Sequence, residues 1–597
     1  MTNTKICFAA LALLAASLGA VRANAQYTPA ETFYTAGSSA QFNTFGVAAS
    51  FVIPPSSFPL CGANHWSKKN SSALPITIVD PRGSVVAEPA NIWIAWDNNA
   101  QNGVAGQGVV CYFASVDSIV GVRAYFAHAT VSLAAGLVGT AGANLVPLIG
   151  TDGTLPQSIY NIVNNSLLTA ANTDIRPEDA KFATMRTLTT LGAQVTGRAV
   201  TGLGYHGTGG GIGTAIKSSQ SATVANPVDF SMVNGDPDPI VGATNPWREY
   251  IDLPIGAAPV MVVVNVSNVA TGHLGDGTIT NINRFILAKV LEGKITHIRD
   301  LGYTATPVEN NPPTYNYPPT TPPDEPLHVF IREPLSGTYN TMEFSIPNSL
   351  EIDATTFTVG QVNGQETGVT PSNTGCTVTP CTVESGNPLW HIGPNGYTRG
   401  RAIGTGEMVT AVNGTADGIG YAFWGLGNFQ GKTNLKYLTV DGVDPLYSGP
   451  ASNPGGVGVL PGCTLTGGLA TSCPTIPFPN IVNGTYPIWS KYRMLYDPTV
   501  SSTIASAITL YAQNASNPAG SALGVIGDML PAYQMQVFHS HYAQVVEDSG
   551  VAFGPNNGFK TGVPETGGDM GGAVLTIQSE LDFINDTGGN QQVNLFQ

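Results

Sequence analysis

Strands alternating with helices along most of the chain predict an α/β fold with largely parallel sheets flanked by helices. Three observations carry this expectation. Residues 329–331 (Val-Phe-Ile) read as a buried strand that runs through Arg332 to a helix opening at Ser336-Gly337-Thr338. The same strand-to-helix design recurs at Gly37-Ser38-Ser39 and at Asp117-Ser118. Residues 253–266, LPIGAAPVMVVVNV, form the longest β-branched apolar run and predict a central strand.

The turn around Ser336 also suggests chemistry. Ser and Thr at a helix start cap free backbone N–H groups, and the helix dipole adds positive potential there. Gly337 lets the backbone approach closely, as a helix N-terminus that holds an oxyanion requires. Arg332 adds a forked, permanently charged donor. Taken alone, the motif reads more readily as an ordinary N-cap beside a surface Arg; the rest of the chain reverses that order.

Length and composition bound the rest. Of 597 residues, 42% are apolar, enough for two sizeable domains with their own cores. Only 11% are charged, while Gly (70) and Pro (43) are abundant, so many loops are expected. The net charge of −15 argues against nucleic acid or an anionic membrane as partner, but leaves room for a locally positive anion site. Residues 1–25 read as an export signal: Lys5, an apolar core over 6–21, and Ala23-Asn24-Ala25 as the cleavage site. No later run is long enough to span a bilayer, so no membrane insertion is expected. Beyond the signal lie Cys61, Cys111, Cys376, Cys381, Cys463 and Cys473. They suit disulfides in an exported chain, with the sequence-local pairing as one of the connectivities six cysteines allow.

In chain order, residues 31–52 predict a strand, a turn at Ser38-Ser39 and a helix. Residues 91–96 (NIWIAW) and 109–114 (VVCYFA) predict two strands, the second running into Asp117-Ser118 and a helix. Residues 167–171 lead to Asp174, after which Pro177-Glu178-Asp179 opens another helix. The glycines of 201–214 lack a dinucleotide fingerprint and read as a loop, and Asp236 lies in the NGDPDP turn that follows. A helix is expected over 283–291, and the eight prolines within 307–326 predict an extended surface connection. After Thr338 come short strands or loops over 350–400, a helix over 402–412, and strands over 418–424, 434–440 and 486–496. Helices are expected over 503–513 and 530–534.

The order of these motifs resembles the periplasmic phosphate-binding proteins of ABC importers, which have the type II periplasmic-binding-protein fold. GSSAQF is similar to the family's first ligand loop, LPIGAAPVMVVVNV to its domain-crossing strand, and LAKVLEGKIT to its helix ending in GKI. IREPLSGT resembles the family's R-x-D-G-S-G-T phosphate loop, and GIGYAFW and YPIWSKYRML its later strands. The resemblance covers 31–46 and roughly 250–500. It implies two lobes with a ligand cleft between them: lobe I from 26 to 257 with a long insertion over about 53–250, lobe II over 258–424, and a return to lobe I over 425–597. It implies ligand contacts from Ser38, Ser39, Ser118, Arg332, Ser336, Gly337 and Thr338. It also implies one carboxylate that accepts the proton of hydrogen phosphate, and either Asp174 or Asp236 fills that place. The chain departs from the family two residues after Arg332, where Pro334, next to Glu333, replaces the Asp that holds the Arg.

The leading expectation is therefore an exported, periplasmic or secreted, solute-binding protein that captures phosphate or a related oxyanion for an ABC permease. The alternative is a secreted binding or structural module that keeps the fold without transport. An enzyme is not expected: there is no GxSxG elbow, HExxH or P-loop. His539 and His541 are a pair on one strand face without an acidic cluster nearby, so neither a catalytic nor a metal site is assigned, and no cofactor is expected.

Overall fold

The structure is a computed structural model. It describes, in the main, residues 31–50, 64–69, 76–79, 90–126, 128–143, 153–175, 250–291, 295–301, 325–332, 336–346, 396–402, 404–466, 469–516 and 528–536. The export signal, Asp236, Glu333, Pro334, Cys376, Cys381, His541 and the glycine-rich segment near 209 lie outside the described residues.

The first half supplies strands β1 (Glu31–Gly37), β2 (Asn64–Lys69), β3 (Asn91–Trp96), β4 (Val109–Ser115) and β5 (Ala170–Thr173), with helices α1 (Phe42–Ser50) and α2 (Ser118–Phe126). The second begins with β6 (Tyr250–Asn265) and α3 (Arg284–Leu291), then β7 (His328–Arg332) and α4 (Gly337–Ser345). It continues through β8 (Leu389–Ile392), β9 (Thr398–Ala402), α5 (Thr405–Gly414), β10 (Gly418–Phe423), β11 (Leu435–Val440), β12 (Trp489–Tyr496) and α6 (Ser502–Ser516). One sheet runs β8-β9-β7-β10-β6-β12-β5-β1-β4-β3-β2. A separate four-stranded sheet joins Ile76–Val79, Val85–Glu88, Thr130–Ser132 and Ser166–Leu167.

The sheet is mixed, which corrects the expectation of largely parallel strands. Two groups are parallel: β1 with β4 and β5, and β7 with β9 and β10. Between them β6 runs antiparallel to β12 and β10, and β12 antiparallel to β5; at the edge β3 runs antiparallel to both β4 and β2. A parallel neighbour needs a long crossover, whereas a strand that simply returns must pair antiparallel. β6 is the long member. All sixteen of its residues are buried, and it pairs with β12 over 251–259 before passing to β10 and β11 over 260–265.

Period-two alternation puts different side chains on the two faces. Phe33, Trp93 and Phe113 share one face with Phe45 of α1 and Tyr511 of α6, where Trp93 stacks on Phe113 at 6.0 Å. Tyr34, Ile92, Ile94, Tyr112 and Ala114 belong to the opposite core, with Val120 and Ala124 of α2. Covered on both sides, these strands are apolar throughout. Within the long segment 53–250, the strands β2, β3, β4 and β5 are thus built into the sheet.

Two helix boundaries differ from expectation. The helix expected over 402–412 begins at Thr405, because Gly404 turns through φ 80 and separates it from β9. The helix expected over 530–534 is a two-residue strand, Leu530–Pro531, and a single 3-10 turn, Ala532–Gln534. Cys61 is bonded to Cys111 and Cys463 to Cys473, as the sequence-local pairing expects.

Candidate functional site

The C-terminal ends of β1, β4, β5, β7 and β9 converge. Open α/β sheets place ligands at such strand ends, where helix N-termini point into one crevice. β1 delivers Ser38 and Ser39, β4 Asp117 and Ser118, β5 Asp174, β7 Arg332 with the cap of α4, and β9 Thr405.

Arg332 stands at the centre. Its side chain is fully buried, although an isolated buried charge is strongly disfavoured without partners. Nη2 donates to Asp117 Oδ1 at 2.8 Å, and Nη1 donates to the hydroxyls of Thr338 and Thr405, both at 3.3 Å. Nε has no hydrogen-bond partner among the described residues. The end of the strand is pinned as well, since the Arg332 N–H donates to the Tyr421 hydroxyl.

Beside it opens α4. Ser336 Oγ accepts from the N–H groups of Thr338 (3.1 Å) and Tyr339 (3.4 Å), the N-cap that the sequence predicts. Gly337 is required here by close approach. A Cβ at this position would lie 2.3 Å from Asp174 Oδ1 and 2.6 Å from Ser118 Oγ. The positive end of α4 therefore abuts the turns after β4 and β5.

Ser118 donates to the Asp174 carboxylate, and Ser490 to the Asp174 carbonyl. Burial, and then the charge of Asp117, push the Asp174 carboxyl up to about 7; hydrogen bonds from Ser38 and backbone and the charge of Arg332 oppose the rise. Near neutrality it can therefore either donate or accept a proton. Ser38 also caps the 3-10 turn Ser39–Gln41, accepting from the Ala40 N–H. Ser39 Oγ lies 3.0 Å from Thr405 Oγ1 and accepts from the Thr405 N–H.

The structure thus brings together Ser38, Ser39, Ser118, Asp174, Arg332, Ser336, Gly337 and Thr338. Asp236, the other candidate acid, is not among the described residues. Two contributors escape sequence reading. Thr405 follows Gly404 directly, a turn-then-helix signal that was available. Asp117 sits in a turn with a recognisable strand-to-helix pattern, yet its pairing with an Arg 215 residues away leaves no local trace. Among the described residues, no group of three or more His, Cys, Asp or Glu side chains could hold a metal.

No family model matches the sequence, and no curated protein does either. Solved structures do. A Clostridium perfringens protein solved with phosphate bound is 14% identical, with a TM-score of 0.23 over 44% of this chain and 65% of that one. An ABC-type phosphate transport receptor from Vibrio cholerae is 14% identical, with a TM-score of 0.22 over 44% of this chain and 67% of its own. A phosphate-binding protein from Stenotrophomonas maltophilia is 11% identical, with a TM-score of 0.32 over 80% of this chain and 83% of its own. The likeness is distant. The chemistry of the site is accordingly read from its own side chains.

Proposed function

We propose that this is an exported solute-binding protein that holds phosphate, or a similar tetrahedral oxyanion, where the five strand ends meet. One observation carries the reading: a fully buried guanidinium, with Nε unpartnered among the described residues, set against the N-terminus of a nine-residue helix. A buried cation and a helix N-terminus both favour an anion, and charge-assisted hydrogen bonds are strongest in a site without water. Around them, the hydroxyls of Ser38, Ser39, Thr338 and Thr405 would donate to the ligand's oxygens, and Ser118, which donates to Asp174, would hold that carboxyl against it. Asp174 is the group to take a ligand proton. The contributors divide into one set before β6 and another after it, so β6 and β12 act as crossing strands between two lobes and the ligand sits in the cleft. Hinge closure over the ligand and delivery to an ABC permease complete the transport role. Among the described residues no helix is long and apolar enough to cross a membrane.

Calorimetry on phosphate-stripped protein tests this. Micromolar or tighter phosphate binding is expected, with loss of at least about a hundredfold in Arg332→Ala, because a charge-assisted bond in a buried site contributes roughly 1.5–3 kcal/mol and Arg332 makes more than one. Absence of binding for phosphate, sulfate and molybdate would reject the reading.

A second reading has one observation in its favour: Arg332 already pairs with Asp117 at 2.8 Å inside the protein. In a secreted module without a transport role, that ion pair would serve only to join the two sides. Such a module predicts that Arg332→Ala lowers stability while no oxyanion binds to the unaltered protein.

A further inference from the structure

Building on the reading of two lobes that close over an oxyanion, we infer that Asp528 is a latch: from outside the ligand site it ties α1 to the turn after β10, and so sets how slowly the bound oxyanion leaves. The sheet order assigns the two sides. The first half of β6 pairs with β12, which leads through β5 to β1, while its second half lies between β10 and β11. α1 follows β1 and belongs with the first group. The turn that joins β10 to β11, with the short helix Leu426–Phe429, belongs with the second. Asp528 reaches both. Its Oδ2 accepts from the Thr44 hydroxyl of α1 at 2.7 Å, and its Oδ1 accepts from the Leu426 N–H at 2.6 Å. All three residues are buried. Two residues further on, Leu530 and Pro531 pair with Ala257 and Gly256 of β6, so the carboxylate is anchored to the strand that connects the two sides.

The surroundings make this a contact that opening must break. Tyr492 of β12 donates its hydroxyl to the Trp424 carbonyl at 3.4 Å, two residues before Leu426. Gly427 lies against α1, where a Cβ would stand 2.5 Å from Asn43 Cγ and Nδ2. At the other end of the same seam Ser39 accepts from the Thr405 N–H. The seam therefore runs from the ligand site to Asp528, and only its near end holds proposed ligand contacts. Leu426 opens its helix after Gly425, which has no side chain to cap it, so the carboxylate of Asp528 serves as the cap. Parting the two sides would take Leu426 away from that carboxylate, and a buried polar group that loses its partner is strongly disfavoured. The latch thus adds to the stability of the closed form through contacts the ligand does not make. A ligand that leaves only through the open form is then retained longer.

The test follows phosphate binding by calorimetry and its release by chase of radiolabelled phosphate, using the full exported chain. Asp528→Ala removes both hydrogen bonds and touches no proposed ligand contact. It should speed release at least about tenfold while the association rate stays within about threefold, because a buried polar group left unpaired shifts such an equilibrium by roughly one to two powers of ten. Asp528→Asn keeps an oxygen to accept from Leu426 and gains an amide N–H to donate to Thr44. It should release phosphate within about threefold of the unaltered rate. In small-angle scattering without phosphate, Asp528→Ala should show a larger radius of gyration than the unaltered protein, and Asp528→Asn should not. Unchanged release from a folded Asp528→Ala, equally fast release from both variants, or a loss confined to the association rate would overturn the inference. If Asp528→Ala does not fold, the isosteric Thr44→Val, which removes the bond to α1 alone, decides. Release several-fold faster supports the latch, and release at the unaltered rate overturns it. An unaltered protein that binds no phosphate would instead remove the oxyanion reading, and this inference with it.

Discussion

A carboxyl buried among other polar groups costs stability at the pH where it would be charged, and Asp174 gives that cost a direction. The unfolded chain releases this proton from about pH 4, while the folded protein keeps it until about 7. The folded state therefore binds more protons across that window. The contribution of Asp174 to stability is highest below about pH 4, declines as pH rises to 7, and is level beyond, a total of ~4 kcal/mol. Asp528, raised by burial, works in the same sense. Asp174→Asn retains a side-chain oxygen to accept from Ser118 and cannot ionise. It should melt several degrees higher than the unaltered protein at pH 8, with the difference shrinking toward pH 4. Thermal melts at pH 4, 6 and 8 check this, and an equal difference at all three values would contradict it. Phosphate selectivity should fall in the same variant, as expected where a strained functional group is exchanged for stability.

At the scale of elements, the site depends on how closely helices meet strand ends. α4 approaches the turns after β4 and β5 through Gly337. Gly337→Ala would force a methyl group to within 2.3 Å of the Asp174 carboxylate, which buried neighbours hold in place. The variant is expected to stay folded, losing roughly 1–3 kcal/mol, but to lose at least about tenfold in phosphate affinity, since the displaced groups are the proposed ligand contacts. Calorimetry and a denaturant melt on the same sample separate the two effects. Binding unchanged in the folded variant would show that the N-terminus of α4 is not part of the site. The residues of this junction were legible in the sequence because each strand, turn and cap is a local pattern. Ser336 caps α4, and Ser38 caps the 3-10 turn that leads into α1, as their positions predict. What a local pattern does not contain is partnership. Asp117 and Thr405 look like ordinary turn and helix-start residues until the sheet order brings β4 and β9 to the same place as β7. The mixed character of the sheet is illegible for the same reason, because β6 and β12 read in the sequence as strands without a direction.

At the scale of the whole molecule, covalent links differ in what they support. Cys61 and Cys111 close a separation of 50 residues and join the segment after α1 to β4, where the Cys61 N–H donates to the Ala49 carbonyl. Cys463 and Cys473 close a separation of 10 around the hairpin of Thr464–Thr466 and Leu469–Ser472. Loop-closure entropy assigns the first ~4 kcal/mol and the second ~3 kcal/mol, a modest difference. Burial widens it, since Cys61 and Cys111 are each 1% exposed and sit in the core that packs α1 against the sheet. Position widens it further: β4 ends at the turn carrying Asp117 and Ser118, whereas the hairpin forms a two-stranded sheet separate from the one that carries the site. The paired change Cys61→Ser with Cys111→Ser is therefore expected to lower the melting temperature more than Cys463→Ser with Cys473→Ser, and to weaken phosphate binding as β4 loosens. The second pair should leave phosphate affinity within about twofold of the unaltered protein, as expected for distant, independent sites. If loss of the hairpin bond weakened binding as much as loss of the core bond, the site would depend on the surface around residues 463–473, and the convergence of the five strand ends would not be a sufficient account of it.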